Sequence, residues 1–335
     1  MSAFHFFPRD YQTYNHVIEH SNDNSTCPSK PETAPLHWWN VALASIFIFF
    51  NGGLSLLFGL RLESSLFISS IRCIIQLTIM GLVLEDVFAS QNPIFIMGLV
   101  GLLIFLGANE IFFNKSKRRH AGMFLSSLLS LGLSTLIIGI IGTRFAMSQD
   151  PFWSPQQFIP TMGMLLGNCM SGIAVGVSYC LSQLSEQKER IETFLSYGAS
   201  RWEAGRPIAI EAIRLAMLPT INNMGVVGLI SIPGMMTGQI IGGQPIMDAV
   251  KYQQIIMFMI SASTSLGVLS AVIICILTVL DSSHRLRQDL ITDKQPWNWA
   301  FFTTLQTEFV HITGNIFTTI RDAFCCFAKS STKDA

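Results

Sequence analysis

From Gln253 to Leu280 the sequence reads QQIIMFMISASTSLGVLSAVIICILTVL, without one charged side chain. That run is longer than the ~20 apolar residues a helix needs to cross a ~30 Å hydrocarbon core. Trp38 to Leu60, Met123 to Gly142 and Ile159 to Leu184 share the property. Three further runs complete the set: Ser64 to Leu84 carries only Arg72, Pro93 to Phe113 only Glu110, and Leu215 to Ile232 no charge at all. Hydrocarbon offers the backbone no hydrogen bonds, so each run is expected to be helical. A buried helix of a soluble protein accounts for any one run. It does not account for seven in a chain whose charged fraction is 13%, about half the soluble average. The expected fold is therefore all-α, a polytopic membrane protein of about seven transmembrane helices.

The charges fix the sides. Asn114 to His120 reads NKSKRRH, and Lys and Arg in short loops stay on the cytoplasmic face. Alternating from there puts the N-terminus outside, the loop of residues 185–212 inside and the C-terminus cytoplasmic. Three regions follow: an extracytoplasmic tail over 1–36, polar and disordered by composition, a transmembrane domain over 37–280, and a cytoplasmic tail over 281–335. In the last, Phe301, Leu305, Phe309, Ile312, Ile316, Ile320 and Phe324 recur at helical intervals, the pattern of an amphipathic helix on the inner leaflet or a partner. The outer tail holds an N-glycosylation acceptor at Asn24, and a second triplet at Asn114 is expected to stay unmodified inside. The opening MSAFHFFPRDYQ lacks the pattern of a cleavable signal, so the first span is the expected targeting element, in the plasma membrane or an endomembrane.

Several classes fall away. Zero net charge argues against a nucleic-acid partner, because phosphate neutralisation needs surplus base. The seven cysteines form no CxxC pair, so neither a disulfide framework nor a zinc site is expected. Cys325 and Cys326 admit either acylation or simple burial on the tail helix.

The loop SEQKERIETFLSYGASRWEAGRP carries the sharpest local chemistry. Ile191, Phe194 and Leu195 make an apolar face beside Glu186, Lys188, Glu189, Arg190 and Glu192. Gly198 stops that helix. Ser200 and Glu203 then fit a capping box opening a new short helix, with Pro207 near the start of the next. A short helix held crosswise by two turns is a surface another protein can push; a solvated connector is the plainer alternative.

Here the chain resembles a known group. Glu192, Gly198 and Ile208 stand at the intervals of the coupling loop of ABC-transporter permeases, although Thr193, Phe194, Ile210 and Glu211 depart from that signature. IPTMGMLLGN (Ile159 to Asn168), LPTINNMGVVGLISIPGMMTGQIIGG (Leu218 to Gly243), AVKYQQIIMF (Ala249 to Phe258) and GLRLESSLFISSIRCIIQL (Gly59 to Leu77) resemble small permeases that include bacterial iron exporters of the Fet type and plant aluminium-tolerance permeases. The resemblance implies the membrane half of an ABC-type transporter, a homodimer working with a separate ATPase subunit. The chain has no Gly-Lys pair and so no phosphate loop; it is expected to bind no cofactor, ATP being held by the partner. The coupling contacts it implies are Glu192, Gly198, Ser200, Glu203 and Ile208.

Pro233 lacks an amide hydrogen and disfavours helix before it, so the sixth span is expected to break at Ile232. Irregular backbone at membrane depth needs protein or a water-filled cavity around it. Pro233 to Gln244 is thus expected as a broken-helix or re-entrant element at the outer end of a path, against the alternative of an ordinary outer loop. Arg72 lies about 12 Å into its span at 1.5 Å per residue, with Gln76 one turn on. Pairing with Glu110 and contact with an anionic solute both remain open for it. Asn109, Asn168, Asn222, Asn223, Gln239 and Tyr252 are the other polar candidates, with interhelical amide bonding the alternative for the amides. Met162, Met164, Met235 and Met236 offer thioethers, which suit soft metals better than ferric iron and equally serve packing. No histidine lies in a span. The expected function is a permease subunit moving a metal species, iron-like, or a small anionic solute. A seven-helix receptor and an ATPase-independent channel or scaffold are the alternatives; ANEIFFN at the end of span three and the missing N-P-x-x-Y argue against the receptor.

Overall fold

The computed structural model describes residues 38–60, 62–90, 93–115, 118–120, 122–151, 153–281 and 291–293. Asn24, the N-terminal tail and the segment expected to form an amphipathic tail helix, with Cys325 and Cys326, lie outside these residues. The described chain is helical except for turns and one short ribbon. The helices are α1 (Trp38–Leu57), α2 (Glu63–Ser90), α3 (Pro93–Glu110), α4 (Met123–Ile141), α5 (Pro155–Glu186), α6 (Lys188–Ser196), α7 (Arg201–Val226), α8 (Gly234–Ile241) and α9 (Ile246–Val279). Wider π turns extend α3 over Ile111–Lys115 and α4 over Gly142–Ala146. Strands β1 (Arg118–His120) and β2 (Ile291–Asp293) pair antiparallel.

Among the described residues, six helices are long and apolar enough to cross a membrane: Trp38–Leu57, Glu63–Glu85, Pro93–Phe113, Met123–Ala146, Pro155–Glu186 and Ile246–Val279. This is an integral, multi-pass membrane protein. The seventh expected run, Leu215 to Ile232, is not a helix of its own. Its first part is the second half of α7, whose first half carries Arg201, Glu203, Arg206, Glu211 and Arg214. Nor is the helix opened by the capping box short. It passes through Pro207 and Pro219 without a break. Proline removes a hydrogen bond, but α7 buries Ala204, Gly205, Ile208, Ala209 and Ala212 on one face, and tertiary packing outweighs local propensity there.

The chain divides into two compact units, up to Ser70 and from Ile71 onward, with α2 running through the boundary. In the first unit Gly59, at φ +62°, turns the chain after α1. Ser55 Oγ donates to Glu63 Oε2 at 3.0 Å and accepts from the Leu62 amide at 3.0 Å, satisfying the start of α2.

The second unit is built around α5 and α9. Their contacts climb together, Thr161 to Tyr252, Cys169 to Ser263 and Gly176 to Val272, so the two helices run in the same direction. Helix α4 opposes both, through Ser134 against Cys169 and Gly142 against Met259, and α3 opposes α4 through Gly107 against Leu131 and Gly132 against Ile104. Helix α7 is the return element: Gly205 meets Ile276 and Leu280, and Ala216 lies beside Gly172 and Gly176 at the level of Val268. Small residues make these approaches possible. A Cβ on Gly172 would stand 2.8 Å from Thr264 Cγ2, and one on Gly205 2.8 Å from Ile276 Cγ2.

Candidate functional site

The elbow between α6 and α7 is built from local chemistry. Gly198 takes φ +87°, a conformation glycine adopts without strain, and ends α6. Ser200 caps α7: the Glu203 amide donates to Ser200 Oγ at 3.3 Å, and the Ser200 amide and hydroxyl both donate to Glu203 Oε2 at 2.8 Å. Those bonds hold the Glu203 carboxyl below its ordinary range. Helix α6 is anchored from one side, by Ile191 and Leu195, both buried in the core that also takes Ile208. Its other side is open. Glu192 pairs with Lys188 at 3.7 Å, and Phe194, Tyr197 and Trp202 are exposed, Tyr197 to 86%. The short helix therefore precedes Gly198 and does not follow it.

Arg72 and Glu110 meet. Arg72 Nη1 donates to Glu110 Oε1 at 3.1 Å and Nη2 to Oε2, a two-pronged ion pair between α2 and α3. Gln76, one turn along, is exposed. Asn168 Nδ2 donates to Met164 O at 2.9 Å and Asn109 Nδ2 to Phe105 O at 3.0 Å, so both amides bond within their own helices. Tyr252 approaches Thr161 at 3.4 Å between their hydroxyls.

The helix break near Pro233 comes earlier than Ile232. Helix α7 ends at Val226, Val227 is extended, and Gly228 at φ +86° turns the chain, its amide donating to Ser231 O at 2.9 Å. Pro233 sits instead at the N-cap of α8. Asn222 and Asn223 are exposed on the last turn of α7, and Met235, Met236 and Gln239 are half-buried on α8. These five are not joined to Arg72 or to one another by any side-chain bond among the described residues. Gln239 Oε1 is buried with no hydrogen-bond partner among them.

Two features lay beyond the sequence candidates. One is a buried polar layer where α4, α5 and α9 meet: Ser134 Oγ lies 3.4 Å from Cys169 Sγ, which points at Ser263 O, and Ser130, Ser263 and Thr264 have buried hydroxyls without a partner among the described residues. The other is a cavity of about 680 Å³ on α5, lined by Arg118, Ser171, Ala174, Val175, Ser178, Tyr179 and Ser182. The sequence signal for it is small and polar residues recurring every three or four positions along one helix face.

Arg118 reaches that cavity from β1, whose pairing with β2 sets alternate side chains apart. The neighbouring Arg119 guanidinium lies 4.4 Å from the centre of the Phe112 ring. His120 is buried with Nε2 3.5 Å from Ser126 Oγ, and burial pushes its pKa down to about 4. Among the described residues no three His, Cys, Asp or Glu side chains gather as they would around a metal ion.

Comparison with known proteins places the chain in a family. The "UPF0014 membrane protein slr1647" of Synechocystis is 34% identical over 213 residues, 63% of this chain and 82% of that protein. The "Probable iron export permease protein FetB" of Escherichia coli is 36% identical over 235 residues, 68% of this chain and 86% of that protein. The "Protein ALUMINUM SENSITIVE 3" of Arabidopsis thaliana is 26% identical over 228 residues, 68% and 82% respectively. No solved structure matches. Residues 38–280, the stretch that holds every described helix, match the family described as "Uncharacterised protein family (UPF0014)", and the chain belongs to it.

Proposed function

We propose that this chain is the membrane-spanning permease subunit of an ABC-type transporter, moving an iron-like metal species or a small anionic solute with energy from a separate ATPase. The carrying observation is the elbow. Helix α6 roots Ile191 and Leu195 in the bundle while the elbow exposes Phe194 on α6, Tyr197 at its end and Trp202 in the first turn of α7, so a partner that grips this outer face moves α5 and α7 with it. Exposed aromatic side chains outside an apolar span are typical anchors of a protein contact. Glu192, Gly198, Ser200, Glu203 and Ile208 form or brace that surface.

Seven crossings are part of this reading, with α7 as the one that hydropathy misses. Helices α5 and α9 run the same way, so the chain must return between them, and α7 is the element that does so. The basic loop before β1 then lies inside together with the elbow, the N-terminus lies outside, and the C-terminus is cytoplasmic. A homodimer is the arrangement in which two such chains share a path. Arg72, Gln76, Glu110, Asn168, Asn222, Asn223, Pro233, Met235, Met236, Gln239 and Tyr252 are the path candidates. The relative named as a probable iron exporter favours a metal cargo. With no cluster of ligands among the described residues, such a metal is proposed to travel in chelated form or past scattered carbonyl and amide oxygens.

The test is capture. The full chain, purified from native membrane in mild detergent, is expected to bring down a nucleotide-binding subunit, and Tyr197→Ala or Glu192→Lys to weaken that capture. Recovery of no ATPase, with flux into vesicles unaffected by either substitution, rules the mechanism out.

A further inference from the structure

We propose that the outward face of α7 is the surface on which a second copy of this chain docks, with Arg214 of each copy set against Glu211 of the partner subunit. Helix α7 packs one face on α5 and α9, burying Ala204, Ile208, Ala212, Ala216 and Thr220. The opposite face carries Ile210, Arg214, Leu218 and Ile221. Steps of four, four and three residues align them along the helix, and all four are exposed.

Depth makes this face expensive to leave uncovered. Gly205 lies against Ile276 and Leu280 of α9, and Ala216 lies beside Gly176 of α5 at the level of Val268. The uncharged run of α9 extends to Leu280, so its neighbour enters the apolar zone near Gly205. Arg214 comes nine residues later, about 13 Å further in at 1.5 Å per residue. An arginine side chain is too short to snorkel back over that distance. Its one side-chain bond is local and single: Nη1 donates to Glu211 Oε2 at 3.1 Å, with the two side chains 68% and 41% exposed.

The chemistry of the face selects its cover. Lipid suits Ile210, Leu218 and Ile221 but not the two charges, which are costly in hydrocarbon. Water suits the charges but leaves the apolar stripe wet. A second copy satisfies both. Around a two-fold axis along the membrane normal, the two α7 helices run parallel and bring the same residues to the same level. A cation and an anion three residues apart make such a face complementary to itself. Each arginine then gains a second carboxylate oxygen across the axis, while the leucine and isoleucines pack on their counterparts.

This deepens the homodimer part of the proposed function and rests on that part alone, since no ATPase is needed for two copies to meet. Two differently tagged full-length chains are co-expressed, captured through one tag in mild detergent, and read through the other. Wild type is expected to co-capture. Glu211→Arg leaves two cations on the face and Arg214→Glu two anions, so each variant, paired with itself, is expected to lose about tenfold or more of that co-capture. One chain with Glu211→Arg beside one with Arg214→Glu is expected to regain it. In native membranes treated with copper phenanthroline, Leu218→Cys is expected to give a disulfide-linked dimer above the wild-type background, and Leu133→Cys, exposed on α4, is not. Should the charge variants lose their melting transition, the Leu218→Cys crosslink carries the test. Self-association of both charge variants at the wild-type level, a mixed pair that stays apart, or no more crosslink at Leu218 than at Leu133 overturns the proposal. A dimer that forms by this face but captures no ATPase counts against the transport mechanism and leaves the face standing.

Discussion

Arg72 on α2 places its two terminal nitrogens on the two carboxylate oxygens of Glu110 on α3, joining residues 38 positions apart in the chain. Each group is expensive in hydrocarbon alone, and the pair removes most of that cost. Glu110→Gln is expected to leave the arginine uncompensated and destabilise the protein by about 2–4 kcal/mol, read as a lower melting temperature in lipid nanodiscs. The exchanged double variant, Arg72→Glu with Glu110→Arg, should recover much of that stability. If it also recovers flux, Arg72 is structural; if stability returns and flux does not, Arg72 contacts the cargo.

The elbow separates two kinds of residue that sit side by side. Ile191 is fully buried, and Ile191→Ala removes atoms that the bundle cannot fully replace, at a cost of about 2–4 kcal/mol. Tyr197, exposed to 86%, touches little, and Tyr197→Ala should shift stability by no more than about 0.5 kcal/mol. Under the proposed docking, Tyr197→Ala nevertheless loses ATPase capture. Equal capture by wild type and Tyr197→Ala would remove α6 from the interface.

The helical, membrane-crossing fold was legible because spans of this length admit no other backbone, and the elbow because its signals are local. Gly198 and the Ser200–Glu203 pair specify a stop and a start within a few residues, and both occur as expected. What lies between distant segments was not legible. The extent of α7 is set by a face of small residues packed on α5 and α9, which overrides Pro207; hydropathy sees only the charges at its start. The break near the sixth run is made by Gly228, whose left-handed conformation is visible only once Ser231 folds back on it, whereas Pro233 is the stronger breaker by local sequence alone. Of the path candidates, Arg72 and Glu110 came together because opposite charges in lipid must find each other. The place of Arg118 on the α5 cavity is not legible in the sequence, because Ser178 and Tyr179 lie about sixty residues away and nothing local ties them to it.

Gly198 also makes a backbone prediction. At φ +87° a side chain is strained whatever room surrounds it, and the space around Gly198 is open. Gly198→Ala is therefore expected to cost about 1–2 kcal/mol through backbone conformation alone. Because the strain falls on the turn joining α6 to α7, the proposed docking predicts that ATPase capture falls more than melting temperature does. A variant that melts like wild type and captures normally would show that the turn relaxes without consequence.

Gly267 offers a packing test with a built-in rescue. A Cβ there would collide with Cys169 Sγ and stand 2.9 Å from Ser134 Oγ, in the polar layer where α4, α5 and α9 meet. Gly267→Ala is expected to destabilise by about 1–3 kcal/mol, the usual cost of overfilling a packed core. Cys169→Ala removes the colliding sulfur, and the double variant should regain a measurable part of the loss. A strictly additive pair would mean the three helices do not meet at this point.

His120 supplies the pH dependence. Burial holds its pKa near 4, against 6.5 for an ordinary imidazole, so the folded protein keeps the ring neutral where the unfolded chain would protonate it. The sign follows from that difference: between pH 6.5 and 4 the unfolded state binds more protons, and stability falls as pH falls through this window. The contribution is complete above pH 6.5, and a shift of this size corresponds to roughly 3 kcal/mol lost by pH 4. His120→Phe, which fills similar space without a titratable group, should flatten the melting temperature across the window relative to wild type. A wild-type profile as flat as that of the variant would mean that the ring is open to water, and that β1 does not close over it as the pairing of Arg118–His120 with Ile291–Asp293 requires.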